Sequence, residues 1–305
     1  MFFLENRGYM EYLQSFILPG EKQETEYVIG NDYRTTMACY PKDLYPFKIF
    51  PQKGLGRIDF EPITIFYGGN GSGKSTLLNA IAQKLQLQRE APFNDTPFYE
   101  VYVGLCKYNL APRVHKIPPE SRIITSDEVF DFLLNIRTLN QGLDRSREDL
   151  FEEYYLTRKN QFSLRSLADY EELKRNNEAN HSTKSQYVAK RMPGSVHGKS
   201  NGESGFLYFT EKIRENALYL LDEPENSLSA SLQTKLAQFL EDSTRFYGCQ
   251  FVISTHSPFL LAMKGAKIYD LDSNPVQVRK WTELEAVRLY HDFFETHRDL
   301  FVKYD

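Results

Sequence analysis

Residues 217–221, Ala-Leu-Tyr-Leu-Leu, are apolar throughout, and Phe251-Val252-Ile253 forms a second such run within residues 250–254. Continuous apolar runs of this length suit strands buried on both faces, as in the centre of a parallel sheet. Residues 231–247 between them read as a helix, the crossover that two parallel strands require. Residues 62–67 alternate and branch as a third buried strand. Residues 76–82 then place Leu78, Ile81 and Ala82 at helical core spacing. Residues 122–125 read as a short strand, and 267–271 and 276–278 as two more. The pattern predicts an α/β domain with a largely parallel sheet.

Other stretches carry weaker patterns. Residues 9–18 are aromatic-rich and closed by Pro19-Gly20, which suggests a helix or an irregular packing arm. Residues 27–58 hold short β-type runs broken by Asn31-Asp32, Pro41, Pro46 and Pro51, so a small antiparallel β lobe is expected ahead of residue 62. Residues 98–105, with their tyrosines and valines, read as a strand. From 126 to 191 the texture becomes helical and charged, giving a helical insert of about 65 residues, too short for a long coiled coil. Its mixed charges first suggest a solvated helical face. A contact surface bearing Tyr154, Tyr155, Tyr170, Tyr187, Arg158, Lys159, Lys174 and Arg175 is the second reading. Near the end, Leu284, Val287, Tyr290, Phe294 and Phe301 fall at helical spacing, and core packing is expected of that stripe rather than docking.

Length and charge narrow the class. The 305 residues form one domain, 1–305, with the insert at 126–191 inside it. Net charge is −4, so no global basic field draws the chain onto nucleic acid, although a local basic face stays open. Cys39, Cys106 and Cys249 lie far apart and suit buried reduced thiols rather than a metal site. No run of about 18 apolar residues exists, and the first residues lack a basic n-region. A soluble cytoplasmic protein without membrane insertion is the expectation.

The candidate chemistry centres on Gly68, Gly69, Asn70, Gly71, Ser72, Gly73, Lys74, Ser75 and Thr76, of which Gly68 to Ser75 match G-x-x-x-x-G-K-[ST] between a strand and a helix. Glycines let successive backbone N–H groups turn toward a triphosphate, and the helix N-terminus adds partial positive charge. Lys74 suits the β- and γ-phosphates, and the Ser75 hydroxyl suits magnesium. A glycine turn with no ligand is the plainer alternative; the flanking elements favour the phosphate.

Asp222 and Glu223 follow the apolar run 217–221 directly. Two carboxylates at the end of a buried strand are costly without a role there. Asp222 fits a magnesium anchor, and Glu223 a group that polarises the attacking water. A helix cap is the alternative. His256, in Ile253-Ser254-Thr255-His256-Ser257-Pro258, ends the next strand, where open α/β sheets bind ligands, and fits a γ-phosphate sensor.

The order phosphate loop, Asp-Glu-Pro, Ser-Thr-His-Ser-Pro resembles ABC-type ATPase heads of the RecF/SMC branch and the related bacterial "AAA family" ATPases of OLD type. The resemblance spans about residues 58–282. It implies a signature loop before the Asp-Glu strand, matched here by Ser200, Asn201, Gly202 and Glu203, which in that family reaches the nucleotide of a second subunit. It also implies a D-loop at Asn226-Ser227-Leu228-Ser229. No clear counterpart of the Q-loop glutamine is present; Ser126 or Asp127 stands near its place. Neither the coiled coils of SMC proteins nor the Toprim module of OLD proteins is found before Asp305.

The resemblance thus implies an ATPase that uses Mg2+ and ATP, dimerises with a second copy in the ATP state, and drives a partner or nucleic-acid transaction. A separate effector such as a nuclease, and DNA or RNA, are the partners it suggests, in DNA maintenance or anti-phage defence. The alternatives are the ATPase subunit of an ABC transporter and a nucleotide-dependent switch with little turnover. A small-molecule kinase explains neither His256 nor the signature loop.

Overall fold

In a computed structural model, the protein is described for residues 10–30, 44–93, 95–96, 98–159, 188 and 201–301. Two sheets organise it. The antiparallel sheet contains β1 (Leu13–Ile17), β2 (Arg57–Asp59) and β4 (Lys107–Leu110), in the order β2-β1-β4. The larger sheet contains β3 (Ile63–Tyr67), β5 (Arg122–Thr125), β6 (Leu218–Asp222), β7 (Gln250–Ser254), β8 (Lys267–Asp270) and β9 (Gln277–Arg279), ordered β5-β6-β7-β3-β8-β9. Every pair in it is parallel except β8-β9. Strands β3 and β7 are buried at every position, as their apolar runs require.

Helices of the main body are α1 (Glu21–Gly30), α2 (Lys74–Lys84), α3 (Tyr99–Leu105), α6 (Ala230–Phe246), α7 (Pro258–Leu261) and α8 (Glu285–Thr296). Helix α2 buries Leu77, Leu78, Ala80 and Ile81 in a core shared with Phe16, Phe50, Tyr102, Leu220 and Val252. The two sheets are tied by the buried Gln250 amide. Its Oε1 accepts from the N–H groups of Tyr12 (2.8 Å) and Leu13 (2.9 Å), and its Nε2 donates to Leu13 O at 2.9 Å. A buried amide satisfied on both ends fixes the register of one sheet against the other.

The chain divides into two compact units, residues 1–129 with 205–305, and residues 130–204. In the second, the helix α4 (Ser126–Lys159) supplies most of the described residues, and α5 (Asn201–Lys212) begins there. Tyr154 is buried and Tyr155 exposed. Tyr170, Lys174, Arg175 and Tyr187 lie outside the described residues, as do Cys39 and the polar stretch 176–183. So do the side chains of Arg158 and Lys159. Cys106 and Cys249 are buried, and burial pushes their thiols up to about 12 and about 11, so both stay protonated at neutral pH.

Four expectations are corrected. Within 9–18 the chain forms the strand β1, not a helix or irregular arm, because Leu13 and Phe16 enter the core and the backbone pairs on both edges. Residues 98–105 are not a strand: α3 turns Tyr99, Tyr102 and Val103, spaced three and four apart, onto the core. The antiparallel lobe is present, but β1 precedes the expected segment and β4 follows the phosphate loop; α1 (Glu21–Gly30) makes the start of that region helical. The C-terminal stripe is not core either. Only Leu284 and Val287 are buried, while Leu289 is 70% and Phe293 55% exposed, with Tyr290, Phe294, Leu300 and Phe301 exposed beside them.

Candidate nucleotide site

The parallel sheet places the C-terminal ends of its strands side by side. Thr125 pairs with Asp222, Asp222 with Ser254, and Ser254 with Phe66. Ligands of open α/β sheets bind at this edge. Ser126 and Asp127 follow Thr125 directly and so begin beside Asp222.

The phosphate loop leaves β3 at the same edge. A Cβ built at Gly68 would lie 2.5 Å from Ser72 Oγ, so only glycine lets the loop fold on itself there. Gly73 has φ 100°, the left-handed region, and its Cβ would press on Phe50 at 3.3 Å. Three side chains that no motif announces hold the loop. Lys53 Nζ donates to Ser72 O and to Leu271 O, both at 2.7 Å. Asp272 Oδ2 accepts from Gly69 N at 2.8 Å. Tyr45 donates its hydroxyl to Thr76 Oγ1 at 3.0 Å. Lys74 is buried and bends back along the loop, donating to Gly68 O (2.7 Å) and Gly69 O (3.1 Å).

Opposite the loop stand the two carboxylates. Ser75 Oγ donates to Asp222 Oδ1 at 3.1 Å, and Ser254 Oγ donates to the same oxygen. Burial pushes the Asp222 carboxyl above the usual carboxylate range, and those two hydroxyls partly offset the rise. Glu223 Oε1 lies 3.6 Å from Lys74 Nζ, and Glu223 Oε2 accepts from Asn226 Nδ2 at 3.2 Å. Glu223 has φ 48°, a conformation that costs a non-glycine residue about 1 kcal/mol. Its N–H donates to Ser254 O (3.0 Å) and Oγ (3.3 Å), which holds that turn. Strain here aims Glu223 at the phosphate loop rather than along the strand.

His256 is joined to this edge through β7, whose next residue Thr255 donates its N–H to Phe66 O at 3.2 Å. Its own N–H donates to Glu225 Oε1 at 2.9 Å. Lys74, Ser75, Asp222 and Glu223 therefore meet directly, with His256 on the neighbouring strand end. The signature residues are in the other unit: Asn201, Gly202 and Glu203 form the first turn of α5 rather than a loop, and Ser200 lies outside the described residues. The D-loop stretch follows Glu225, with Ser227 at φ 71°.

Ser254, Glu225, Lys53 and Asp272 were not singled out by sequence. Ser254 and Glu225 sit inside the two motifs and could have been suspected there. Lys53 and Asp272 carry no local signal.

ATP and magnesium fit these residues. The cradle is one that a Cβ at Gly68 would fill, and Ser75 and Asp222 offer hard oxygen donors of the kind magnesium selects.

Residues 107–262, just over half of the chain, match the family described as "AAA domain, putative AbiEii toxin, Type IV TA system". Residues 46–94, which contain the phosphate loop, match a second family described as "AAA domain". No curated protein matches the chain. Similar solved structures include an SMC head domain from Thermotoga maritima, 14% identical, covering 88% of this chain and 98% of that one with TM-score 0.39. Another is the Smc head domain bound to the C-terminal domain of ScpA from Pyrococcus furiosus, 14% identical, covering 78% and 94%, TM-score 0.39.

Proposed function

The chain belongs to the AAA-domain family that residues 107–262 match, and on that premise we propose that it hydrolyses ATP to ADP and phosphate. The observation that carries the proposal is the convergence at the phosphate loop of Ser75 with Asp222 (3.1 Å) and of Lys74 with Glu223 (3.6 Å). Loop N–H groups and the α2 N-terminus bind the phosphates. Lys74 leaves the carbonyls of Gly68 and Gly69 to neutralise them. Ser75 and Asp222 would hold magnesium, whose charge would offset that of the phosphates. Glu223 orients and polarises the attacking water, and His256 contacts the terminal phosphate.

The same reading has two copies closing around ATP, with Ser200–Glu203 of each completing the other's site, and a separate effector or a nucleic acid responding to that closure. Its support is the family membership and the motif order. Among the described residues no helix is long and apolar enough to cross a membrane.

The decisive measurement is phosphate release by the purified protein with ATP and magnesium, beside Glu223→Gln. Magnesium-dependent release that falls on the order of 10²-fold in Glu223→Gln is expected. Equal release from both proteins would remove Glu223 from the role.

A further inference from the structure

Glu225, two residues beyond Glu223, is 5% exposed, and one of its oxygens carries its described polar contacts. Oε1 accepts from Thr255 Oγ1 at 2.6 Å and from His256 N at 2.9 Å, and lies 3.4 Å from His256 Nδ1. Thr255 Oγ1 in turn accepts from Ser257 N at 3.0 Å. The other oxygen, Oε2, is buried without a hydrogen-bond partner among the described residues. Leaving a buried carboxylate oxygen unpaired costs stability, so packing alone does not explain an acid here. What the acid does gain is a hold on one neighbour: it accepts the backbone N–H of His256 and stands 3.4 Å from ring Nδ1, while 52% of that side chain stays exposed.

A carboxylate oxygen 3.4 Å from a ring nitrogen favours the tautomer that carries hydrogen on that nitrogen. Hydrogen on Nδ1 leaves Nε2 as the nitrogen turned away from Glu225. We infer that Glu225 is a positioning residue for His256: through Oε1 it fixes the main chain and the Nδ1–H edge of the histidine, and so presents Nε2 to the terminal phosphate of a bound nucleotide. The inference rests on the ATPase reading for the phosphate, but the positioning of the ring exists without nucleotide. Because Glu225 follows β6 and His256 follows β7, the same contact locks together the two strand ends that carry Asp222, Glu223 and Ser254.

The test pairs two measurements. Ring 15N chemical shifts of His256 are recorded in nucleotide-free protein at a pH where the ring is neutral, and steady-state ATP hydrolysis is followed in parallel. The wild-type ring is expected to hold its hydrogen on Nδ1, and Glu225→Ala to release it to Nε2. In Glu225→Ala, kcat should fall by about tenfold or more while KM for ATP stays within about threefold, since orientation of a group acting in the transition state is lost. Glu225→Gln retains an acceptor oxygen and should keep Nδ1–H and recover most of that loss. Hydrogen on Nε2 in the wild type overturns the inference, as does Glu225→Ala with unchanged kcat or a defect confined to KM. If Glu225→Ala does not fold, the wild-type tautomer and the behaviour of Glu225→Gln decide, and a Gln variant with its hydrogen on Nε2 counts against it. A wild-type protein that hydrolyses no ATP would defeat the ATPase reading alone, because the tautomer is read without nucleotide.

Discussion

Lys74 Nζ and Glu223 Oε1 stand 3.6 Å apart, the cation proposed to bind phosphate held beside the acid proposed to act on water. In this arrangement Lys74 also satisfies the carbonyls of Gly68 and Gly69, so its charge is fully engaged before any nucleotide arrives. On the proposed function, a bound phosphate draws Lys74 away, and that exchange frees Glu223 to act on water.

The first prediction follows. Lys74→Ala should weaken ATP binding and abolish turnover, whereas Glu223→Gln should bind ATP at least as well as wild type while losing about 10²-fold in turnover. Calorimetric titration beside phosphate release separates the two; weaker ATP binding by Glu223→Gln would contradict the exchange.

Asp222 gives a pH-dependent prediction. Burial raises its carboxyl in the folded protein, so stability is greatest with the proton on and is lost as pH rises through the raised value. Without magnesium, Asp222→Asn should therefore melt higher than wild type near neutral pH, and the gap should shrink as pH falls. The same variant should lose magnesium-dependent hydrolysis by at least about 10²-fold. Thermal melts across pH decide; a variant less stable than wild type at neutral pH would show that Asp222 is not penalised by burial.

Ser254 shares Asp222 Oδ1 with Ser75 and also receives the Glu223 N–H. Ser254→Ala should raise the magnesium concentration needed for half-maximal hydrolysis by about 10-fold or more, as loss of a group orienting a metal ligand does. A magnesium titration of ATPase rate checks this, and an unchanged midpoint would remove Ser254 from the site.

The C-terminal helix should tolerate change on its exposed side. Leu289→Ser and Phe293→Ser are expected to alter stability by no more than about 0.5 kcal/mol, while Leu284→Ala, at 0% exposure, should cost about 2–5 kcal/mol. Denaturant unfolding distinguishes the two classes.

Closure of two copies predicts complementation. Lys74→Ala and Ser200→Arg subunits, each inactive alone, should regain ATPase activity when mixed, because one site of the heterodimer keeps an intact cradle and an intact signature segment. No recovery after demonstrated subunit exchange would favour sites that work within single subunits.

Sequence alone was enough for the phosphate loop, the parallel strands and the candidate carboxylates, because each is a local matter. The motif needs only the strand before it and the helix after it, and a strand buried on both faces is apolar whatever its neighbours. Short aromatic segments lacked that independence. Residues 98–105 suit strand by composition, and only the core behind Tyr99 and Tyr102 makes a helix the better burial. Leu13–Ile17 becomes a strand because Arg57–Asp59 and Lys107–Leu110 pair with it across long stretches of chain. The terminal stripe shows the same limit, since periodicity reports that a helix has an apolar face but not whether the body reaches it. Ser254 on Asp222, Lys53 on Ser72 and Leu271, Asp272 on Gly69 and Glu225 on His256 belong wholly to tertiary structure: hydrogen bonds act over about 3 Å, and only folding brings such distant residues within that range.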